Sequence, residues 1–350
     1  MCAGSGGVGK TTISAAIALE AARRGRKTIV VTIDPAKRLA NALGLKELSN
    51  EPRRIPKRKF TDAGLEQAPL YAMMLDTKRT FDALVIRYAK GPEQAERILG
   101  NHLYQAFSGA MSGTHEYMAM EKLYELDFED TYDLIVIDTP PTRNAIDFLE
   151  APKHLTSFFE GRLLKWFLIP AIGGGKGLFR AVNFAAVSFL KAVTRVVGAE
   201  VLKDTAEFAA NFEGMYDGFK ERAQAVYELL RQPATAFVVV TTPHDQAVEE
   251  ALFFATTLNR HRLPFGGLVV NLIHPEFDVG LPDGAPTGSP VVDRLVQLAG
   301  EFEQGRKRED RSLRRLEWEV PQERWARIPY LSGEVTDLGS LVRVADCMFA

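Results

Sequence analysis

The chain has 350 residues, of which 46% are hydrophobic and 25% charged, and its formal net charge is -2 at pH 7. This length allows about two domains, or one enlarged α/β domain with an insertion, and either can bury a core without cross-links. The near-neutral charge lacks the basic excess that is typical of nucleic-acid-binding proteins, so we expect no nucleic-acid partner.

Cysteine and histidine usage limits the kinds of metal site. The two cysteines, Cys2 and Cys347, lie near opposite ends of the chain, and the six histidines show no metal-ligand spacing. We therefore expect no disulfide framework, no zinc and no iron–sulfur cluster. We expect no signal peptide, and the sequence has no run of about 18 apolar residues that could span a bilayer. These features favour a cytoplasmic protein.

The first elements follow the βαβ pattern. A Gly-rich turn starts at Gly4, an Ala-rich helix is predicted over residues 12–24, and a β-branched strand over residues 28–33. Only Met1, Cys2 and Ala3 precede the turn, although the strand before such a turn normally has five or six residues. We therefore expect either that the native chain starts upstream of Met1 or that this strand is short.

Three later apolar runs predict strands that are buried on both faces, as in a parallel sheet. They cover residues 134–137, 236–241 and 268–271, and a helical pattern at 246–258 separates the last two. A charge-dense segment at 301–319 predicts a solvated helix. The fold class is therefore α/β, with a mainly parallel central sheet flanked by helices.

Two stretches with few strand signals interrupt this pattern and are rich in Phe, Met, Leu and Ala. We interpret them as helical insertions that form an α-helical subdomain. The predicted boundaries are 1–76, 129–150 and 233–350 for the core, and 77–128 and 151–232 for the insertions. No internal repeat is visible, so a second copy of this core would have to come from another chain.

The Gly-rich turn contains the complete G-x-x-x-x-G-K-[ST] pattern of a P-loop NTPase. Glycines turn several N–H groups toward one concave surface, and the start of the next helix adds its positive dipole end, so β- and γ-phosphates are bound there. The lysine adds a point charge, and the first threonine offers Mg²⁺ a hard oxygen ligand. The predicted nucleotide site is formed by Gly4, Ser5, Gly6, Gly7, Val8, Gly9, Lys10, Thr11 and Thr12.

Two acidic residues follow predicted strands. Asp138 comes before Thr139, Pro140, Pro141 and Thr142, which is the pattern of a Walker B strand and a loop that senses the γ-phosphate. Asp138 would hold Mg²⁺ directly or through water, and its alternative role is to cap the next helix. Asp34 could orient or deprotonate the attacking water, or only cap a helix, and spacing alone leaves both roles open.

Together these residues resemble a known family, the ATPases of arsenite pumps and of tail-anchored membrane-protein targeting, within the deviant Walker A group. The resemblance covers most of the chain. It is carried by residues 6–12, Asp34-Pro35-Ala36, Asp138-Thr139 with Pro141-Thr142, Asn271, and Ile328-Pro329-Tyr330-Leu331. It implies that Asp34 is the hydrolytic residue of switch I, that 138–142 form switch II, and that Asn271 contacts adenine, with Pro329 also at the nucleotide.

The resemblance also implies an ATP- and Mg²⁺-dependent dimeric switch that moves a helical client-binding part. Ser5 stands where the family usually has a signature lysine that reaches the phosphates of the partner subunit. This departure leaves two arrangements open: a homodimer that hydrolyses ATP, or a weakly catalytic or non-catalytic chain paired with a lysine-bearing paralogue. Without a cluster of thiolates, oxyanion pumping is disfavoured.

An aromatic-rich stretch of the second insertion is the candidate client groove. The resemblance implies that such helices shield apolar segments of hydrophobic or membrane-destined clients. An ordinary subdomain core would use the same residue types, and the sequence alone favours that interpretation. The candidate groove residues are Phe158, Phe159, Leu163, Trp166, Phe167, Phe184 and Phe189.

Overall fold

The computed structural model describes residues 1–34, 36–102, 104–105, 108, 114–139, 216–275 and 289–349. Its strands are β1 (Cys2–Ala3), β2 (Thr28–Thr32), β3 (Arg53–Arg54), β4 (Leu70–Met74), β5 (Leu134–Asp138), β6 (Phe237–Thr241), β7 (Phe265–Ile273) and β8 (Trp325–Pro329). Its helices are α1 (Lys10–Arg23), α2 (Arg38–Ala42), α3 (Lys57–Asp62), α4 (Thr77–Tyr88), α5 (Pro92–Leu99), α6 (Thr114–Phe128), α7 (Tyr216–Arg231), α8 (Asp245–Arg260), α9 (Pro290–Leu313) and α10 (Leu338–Phe349).

The strands form one eight-stranded sheet in the order β3-β4-β2-β5-β1-β6-β7-β8. The β3–β4 pair is antiparallel, and the other neighbouring pairs are parallel. The predicted α/β fold with a mainly parallel sheet is therefore confirmed. Short β1 lies between β5 and β6, so the turn that follows it emerges at the carboxyl edge of the sheet, where open α/β sheets bind ligands.

The strands β2, β5, β6 and β7 were predicted from their apolar runs, and the structure confirms them. All five residues of β2 are buried, and its β-branched side chains suit a strand covered on both faces. Three strands were missed. Short β3 has two exposed arginines, β4 has no β-branched residue, and β8 lies at the sheet edge with Arg327 in the middle of the strand.

Helix α1 fixes the turn after β1 because one of its faces is wholly buried. Six apolar side chains on this helix are at most 1% exposed: Ile13, Ala15, Ala16, Ala18, Leu19 and Ala22. The small alanines allow close approach of the helix to the core, which makes the start of α1 a rigid support for the turn.

The predicted helix at 301–319 is wrong in its bounds. Helix α9 begins at Pro290 and ends at Leu313, and turns follow it. The chain leaves the helix there because Leu316 and Val320 are buried, with 0% and 2% exposure. The predicted solvated character is confirmed, since Leu313 is the one buried residue of the helix.

The described residues divide into two compact units. The first contains those within Met1–Leu75, Leu123–Phe148 and Glu228–Ala350, and it holds the entire sheet. The second contains those within Asp76–Lys122 and Leu149–Tyr227. None of the helices in the described ranges is long and apolar enough to cross a bilayer.

A buried ion pair links α6 and α7 in the second unit. Arg222 on α7 lies 2.6 Å from Glu121 on α6, and their side chains are 14% and 1% exposed. Met118 and Met120 are completely buried in the same unit. These two methionines therefore pack as core residues.

Candidate nucleotide-binding site

The phosphate-binding turn depends on glycine at two positions where the chain passes close to its neighbours. Gly4 has φ of 155° and Gly9 has φ of 92°. A Cβ on Gly4 would lie 2.1 Å from the Val240 oxygen, and one on Gly9 would lie 2.3 Å from Asn271 Nδ2. Both backbone conformation and space therefore require glycine at these positions.

Lys10 is the first residue of α1, and its side chain folds back over the turn. Its Nζ donates a hydrogen bond to the Ser5 carbonyl at 2.7 Å, and the residue is 7% exposed. Burial lowers the pKa of Lys10, and nearby Asp138 opposes that shift. Within the described ranges no carboxylate lies at ion-pair distance from Lys10, so its charge is available to an anion in the turn.

Asp138 ends β5 and is 1% exposed. Its Oδ2 accepts hydrogen bonds from the hydroxyls of Thr11 and Thr32, each at 2.8 Å. Its Oδ1 is buried without a hydrogen-bond partner. Burial raises the pKa of Asp138, and the two hydroxyls and Lys10 act in the opposite direction.

This carboxylate passes a test of fit for magnesium. A buried oxygen that lacks a hydrogen-bond partner is unusual in proteins, and an ion or a water can bind at such an atom. Here the orphaned Oδ1 of Asp138 belongs to the same carboxylate that contacts the Thr11 hydroxyl, and both are hard oxygen ligands of the kind Mg²⁺ prefers. The residues present therefore fit a magnesium ion.

Asp34 follows β2 and is held at the start of the next turn. Its Oδ1 accepts a hydrogen bond from the Ala36 N–H at 2.9 Å, and its Oδ2 lies 3.6 Å from Arg38 Nη1. The side chain is 17% exposed. A carboxylate held in this way can accept a proton from water, and the Ala36 contact also suits a local cap, so the geometry is compatible with both predicted roles.

A cavity of about 400 Å³ brings seven of the predicted site residues together. The predicted residues along its wall are Gly7, Gly9, Lys10, Thr11, Thr12, Asp34 and Thr139. Sequence reasoning missed Arg38, Asn41, Ala42, Glu334, Val335 and Thr336, which line the same cavity. The last three follow β8 in an exposed loop without a recognisable pattern, so their position depends on the folded structure.

A second cavity of about 670 Å³ meets the turn through Ser5, Gly6, Gly7 and Val8. Residues of α8 and the chain just before it contribute polar groups, and Gln246 Nε2 lies 3.3 Å from Glu250 Oε1. The remaining wall is formed by Thr242, His244, Gln246, Ala247, Glu250 and Leu272. Gly4 lies beneath this turn, against β6.

Asn271 and Pro329 lie near the carboxyl ends of β7 and β8. The buried side chain of Asn271 donates a hydrogen bond from Nδ2 to the Val8 carbonyl at 2.9 Å. Pro329 pairs with Ile273 at the end of β8. The structure therefore places Asn271 against the phosphate-binding turn, and its predicted contact with adenine stays a prediction.

The predicted switch II is described only at its start. Thr139 is buried, and its hydroxyl donates to the Cys2 carbonyl at 2.8 Å, which ties the end of β5 to β1. Pro140, Pro141 and Thr142 lie outside the described residues, as do the candidate groove residues Phe158, Phe159, Leu163, Trp166, Phe167, Phe184 and Phe189. Their predicted roles stay predictions.

Comparison with known proteins gives matches over most of the chain. The sequence model of the family described as anion-transporting ATPase matches residues 1–349. The ATPase ASNA1 homolog of Dictyostelium discoideum is 26% identical over 302 residues, which cover 85% of this chain and 80% of that protein. The ATPase GET3B of Arabidopsis thaliana is 25% identical over 292 residues, which cover 79% of this chain and 64% of that protein. A candidate arsenical pump-driving ATPase 1 of Aquifex aeolicus is 28% identical over 297 residues, which cover 78% of this chain and 62% of that protein.

Proposed function

Because the chain belongs to the anion-transporting ATPase family, we propose that it binds Mg·ATP and hydrolyses it to ADP and phosphate. The proposal extends to a dimer in which the nucleotide state controls a helical client-binding part. Hydrolysis of the terminal phosphate would separate two states of the same molecule, which is how such proteins act as switches.

The observation that carries the proposal is the pair of threonine hydroxyls that donate hydrogen bonds to the Asp138 carboxylate. Thr11 and Thr32 both donate to Oδ2, which leaves the buried Oδ1 without a partner next to the end of the phosphate-binding turn. Thr11 and Asp138 would hold Mg²⁺ directly or through water. When bound, Mg²⁺ neutralises charge on the phosphate oxygens.

Other groups of the chain would bind the phosphates and position the attacking water. The N–H groups of residues 4–12 and the ammonium of Lys10 would bind the phosphates, because both present positive charge to one concave surface. Asp34 would orient the attacking water and accept its proton at a carboxylate oxygen. Its contacts with Ala36 and Arg38 hold that carboxylate in place.

We propose that the clients are hydrophobic or membrane-destined proteins. The support is the resemblance to targeting ATPases together with relatives that carry the names ASNA1 homolog and GET3B. A client site switched by nucleotide would bind an apolar peptide differently with ATP, with ADP and without nucleotide. Equal binding in all three conditions would contradict the switch.

A second candidate function is a weakly catalytic or non-catalytic ATP-binding partner of a lysine-bearing paralogue. Ser5 favours it, because this residue faces the second cavity beside the turn and offers no positive charge there. In that arrangement the other chain would supply the catalytic charge, and the dimer would be a heterodimer. In the first arrangement a homodimer would hydrolyse ATP.

The decisive experiment measures ATP hydrolysis by the purified chain, alone and mixed with such a paralogue, in wild type and in Asp34→Asn. The matched control is Asp62→Asn, because Asp62 also lies 3.6 Å from an arginine four residues away but is 57% exposed, far from the turn in sequence. Turnover by the chain alone that disappears in Asp34→Asn and survives in Asp62→Asn supports an active ATPase. Turnover only in the mixture supports the partner function, and no uptake of Mg·ATP under either condition overturns both.

A further inference from the structure

The end of β7 departs from regular strand geometry beside the phosphate-binding turn. Leu268, Val269 and Val270 pair in step with β8, but the next pair joins Ile273 to Pro329, so β7 has one extra residue in this interval. Leu272 within the interval has φ of 60°, in the left-handed region that non-glycine residues rarely adopt. The extra residue and the left-handed backbone together define a bulge at Asn271 and Leu272.

The bulge brings the Asn271 amide onto the turn. Its Nδ2 donates to the Val8 carbonyl at 2.9 Å, and both residues are buried. The same nitrogen occupies the space beside Gly9, where a Cβ would approach it to 2.3 Å. Asn271 therefore contacts the turn at the peptide that links Val8 to Gly9.

The other side of the bulge is also fixed. The His274 N–H donates to Glu309 Oε2 on α9 at 3.0 Å, and the Tyr330 N–H donates to the Ile273 carbonyl at 2.9 Å. A strained residue persists only where its surroundings hold it, and strain of this kind concentrates at functional sites. These contacts provide the support that keeps Leu272 in its unfavourable conformation.

We propose that Asn271 is a positioning residue for the phosphate-binding turn. A trans peptide is planar, so the Gly9 N–H points opposite to the Val8 carbonyl. By holding the Val8 carbonyl, Asn271 directs the Gly9 N–H away from the Asn271 side chain. Gly9 is part of the wall of the 400 Å³ cavity. The side chain thus sets the direction of an anion-binding amide before any ligand arrives.

This role is distinct from contact with adenine, and it deepens the proposed nucleotide site, on which its ligand-binding test rests. A base contact would act only on ligands that carry a base. Positioning of the turn would act on any polyphosphate, because the affected amide serves the phosphates. Magnesium with inorganic triphosphate, which has no base, therefore separates the two roles.

The experiment compares wild type, Asn271→Ala and Asn271→Ser by calorimetry with Mg·ATP and with magnesium plus inorganic triphosphate. Loss of one buried hydrogen bond predicts that Asn271→Ala weakens both ligands by a similar factor, roughly three- to tenfold. Asn271→Ser keeps a hydroxyl donor and provides a milder change if the alanine variant does not fold. The control is Asn259→Ala, an exposed asparagine near the end of α8.

Hydrogen exchange of the ligand-free protein gives a second measurement that needs no nucleotide. Peptides covering residues 4–12 should exchange faster in Asn271→Ala than in wild type, and Asn259→Ala should leave them unchanged. Unchanged exchange together with wild-type affinity for inorganic triphosphate overturns the positioning role, even if affinity for ATP falls. If wild type binds neither ligand, the proposed function fails, and the exchange rates still decide the positioning role by themselves.

Discussion

The hydroxyl of Thr32 donates a hydrogen bond to Asp138 Oδ2 across the β2–β5 pair, where the two residues are in register. Thr11 donates to the same oxygen from the start of α1. Two strands and the phosphate-binding helix therefore meet at one carboxylate. The arrangement restricts which way the other oxygen of Asp138 can point.

Replacing Thr32 with valine should release this restriction while keeping the shape of the side chain. We expect the free energy of unfolding to fall by about 1–2 kcal/mol, because Asp138 is buried and loses one of its two donors. Affinity for Mg·ATP should also fall. Urea unfolding and calorimetry measure the two effects.

The control for Thr32→Val is Thr28→Val in the same strand. The Thr28 hydroxyl donates to the Arg26 carbonyl at 3.0 Å, so its acceptor is a backbone group and not a carboxylate. This variant should lose stability without losing affinity for Mg·ATP. Equal loss of affinity in both variants would show that β2 stability, and not the contact with Asp138, controls the site.

The stability of the metal-free protein should depend on pH through Asp138. Burial raises the pKa of this carboxyl in the folded state above its ordinary value of 3.8, so the folded state binds the proton more tightly than the unfolded state. The stabilisation from Asp138 is therefore present below pH 3.8 and is lost as pH rises through the folded-state pKa. Asp138→Asn should flatten this part of the pH profile of unfolding.

Bound magnesium should reverse the loss of stability at higher pH, because a cation favours the charged form of the Asp138 carboxyl. We expect Mg·ATP to stabilise wild type near neutral pH and to give little stabilisation to Asp138→Asn, as measured by thermal unfolding. Asp133→Asn, at an exposed residue just before β5, keeps the buried carboxylate and should retain the ligand effect. An unaltered response of Asp138→Asn to the ligand would contradict the magnesium role.

Gly9→Ala should abolish phosphate binding. Comparison with Gly25→Ala separates the cost of the backbone conformation from the cost of a clash. Gly9 and Gly25 both have positive φ, 92° and 88°, but only at Gly9 would a Cβ meet other atoms within 4 Å. Gly25→Ala should therefore cost about 1 kcal/mol of stability from backbone conformation alone. Gly9→Ala adds a clash with Asn271, so it should cost more and should also prevent uptake of inorganic triphosphate.

Part of the fold and of the site was predictable from the sequence, because it depends on residues that are close together in the chain. The glycine pattern predicts the turn because Gly4, Gly7 and Gly9 have positive φ, which is a requirement of the local backbone. Strands β2, β5 and β6 were also predictable from a single stretch, since each is a short run of buried β-branched or aliphatic residues. These features are local, and local chemistry is sufficient to predict them.

The missed features are non-local. Thr32 and Asp138 are separated by 106 residues, so their contact depends on strand register, which no local pattern specifies. The contact of Asn271 with Val8 spans 263 residues and also depends on the irregular end of β7. The part of the cavity formed by 334–336 requires the loop after β8 to return toward α1, and β8 itself was not predicted.

The buried ion pair in the second unit should tolerate joint replacement better than loss of one partner. Arg222→Met would leave Glu121 charged at 1% exposure, and we expect a loss of about 3–5 kcal/mol. The double variant Glu121→Met with Arg222→Met removes the isolated charge and should recover much of that loss. The solvent-exposed pair of Lys307 and Glu303 is the control, and Lys307→Met should have little effect on thermal unfolding. Additive losses in the double variant would contradict the ion-pair explanation.

Ser5→Lys tests whether a missing positive charge limits hydrolysis by this chain. The Lys10 ammonium is hydrogen-bonded to the Ser5 carbonyl, a backbone group that the substitution keeps. A new lysine side chain at this position would add charge at the cavity formed with His244 and Glu250. If a partner's lysine normally supplies that charge, Ser5→Lys alone should raise turnover on the order of tenfold or more, because charge at the transferring phosphoryl group is a large catalytic effect. Ser5→Met adds comparable bulk without charge and should leave turnover low, so equal rates in the two variants would show that charge at this position is not the limiting factor.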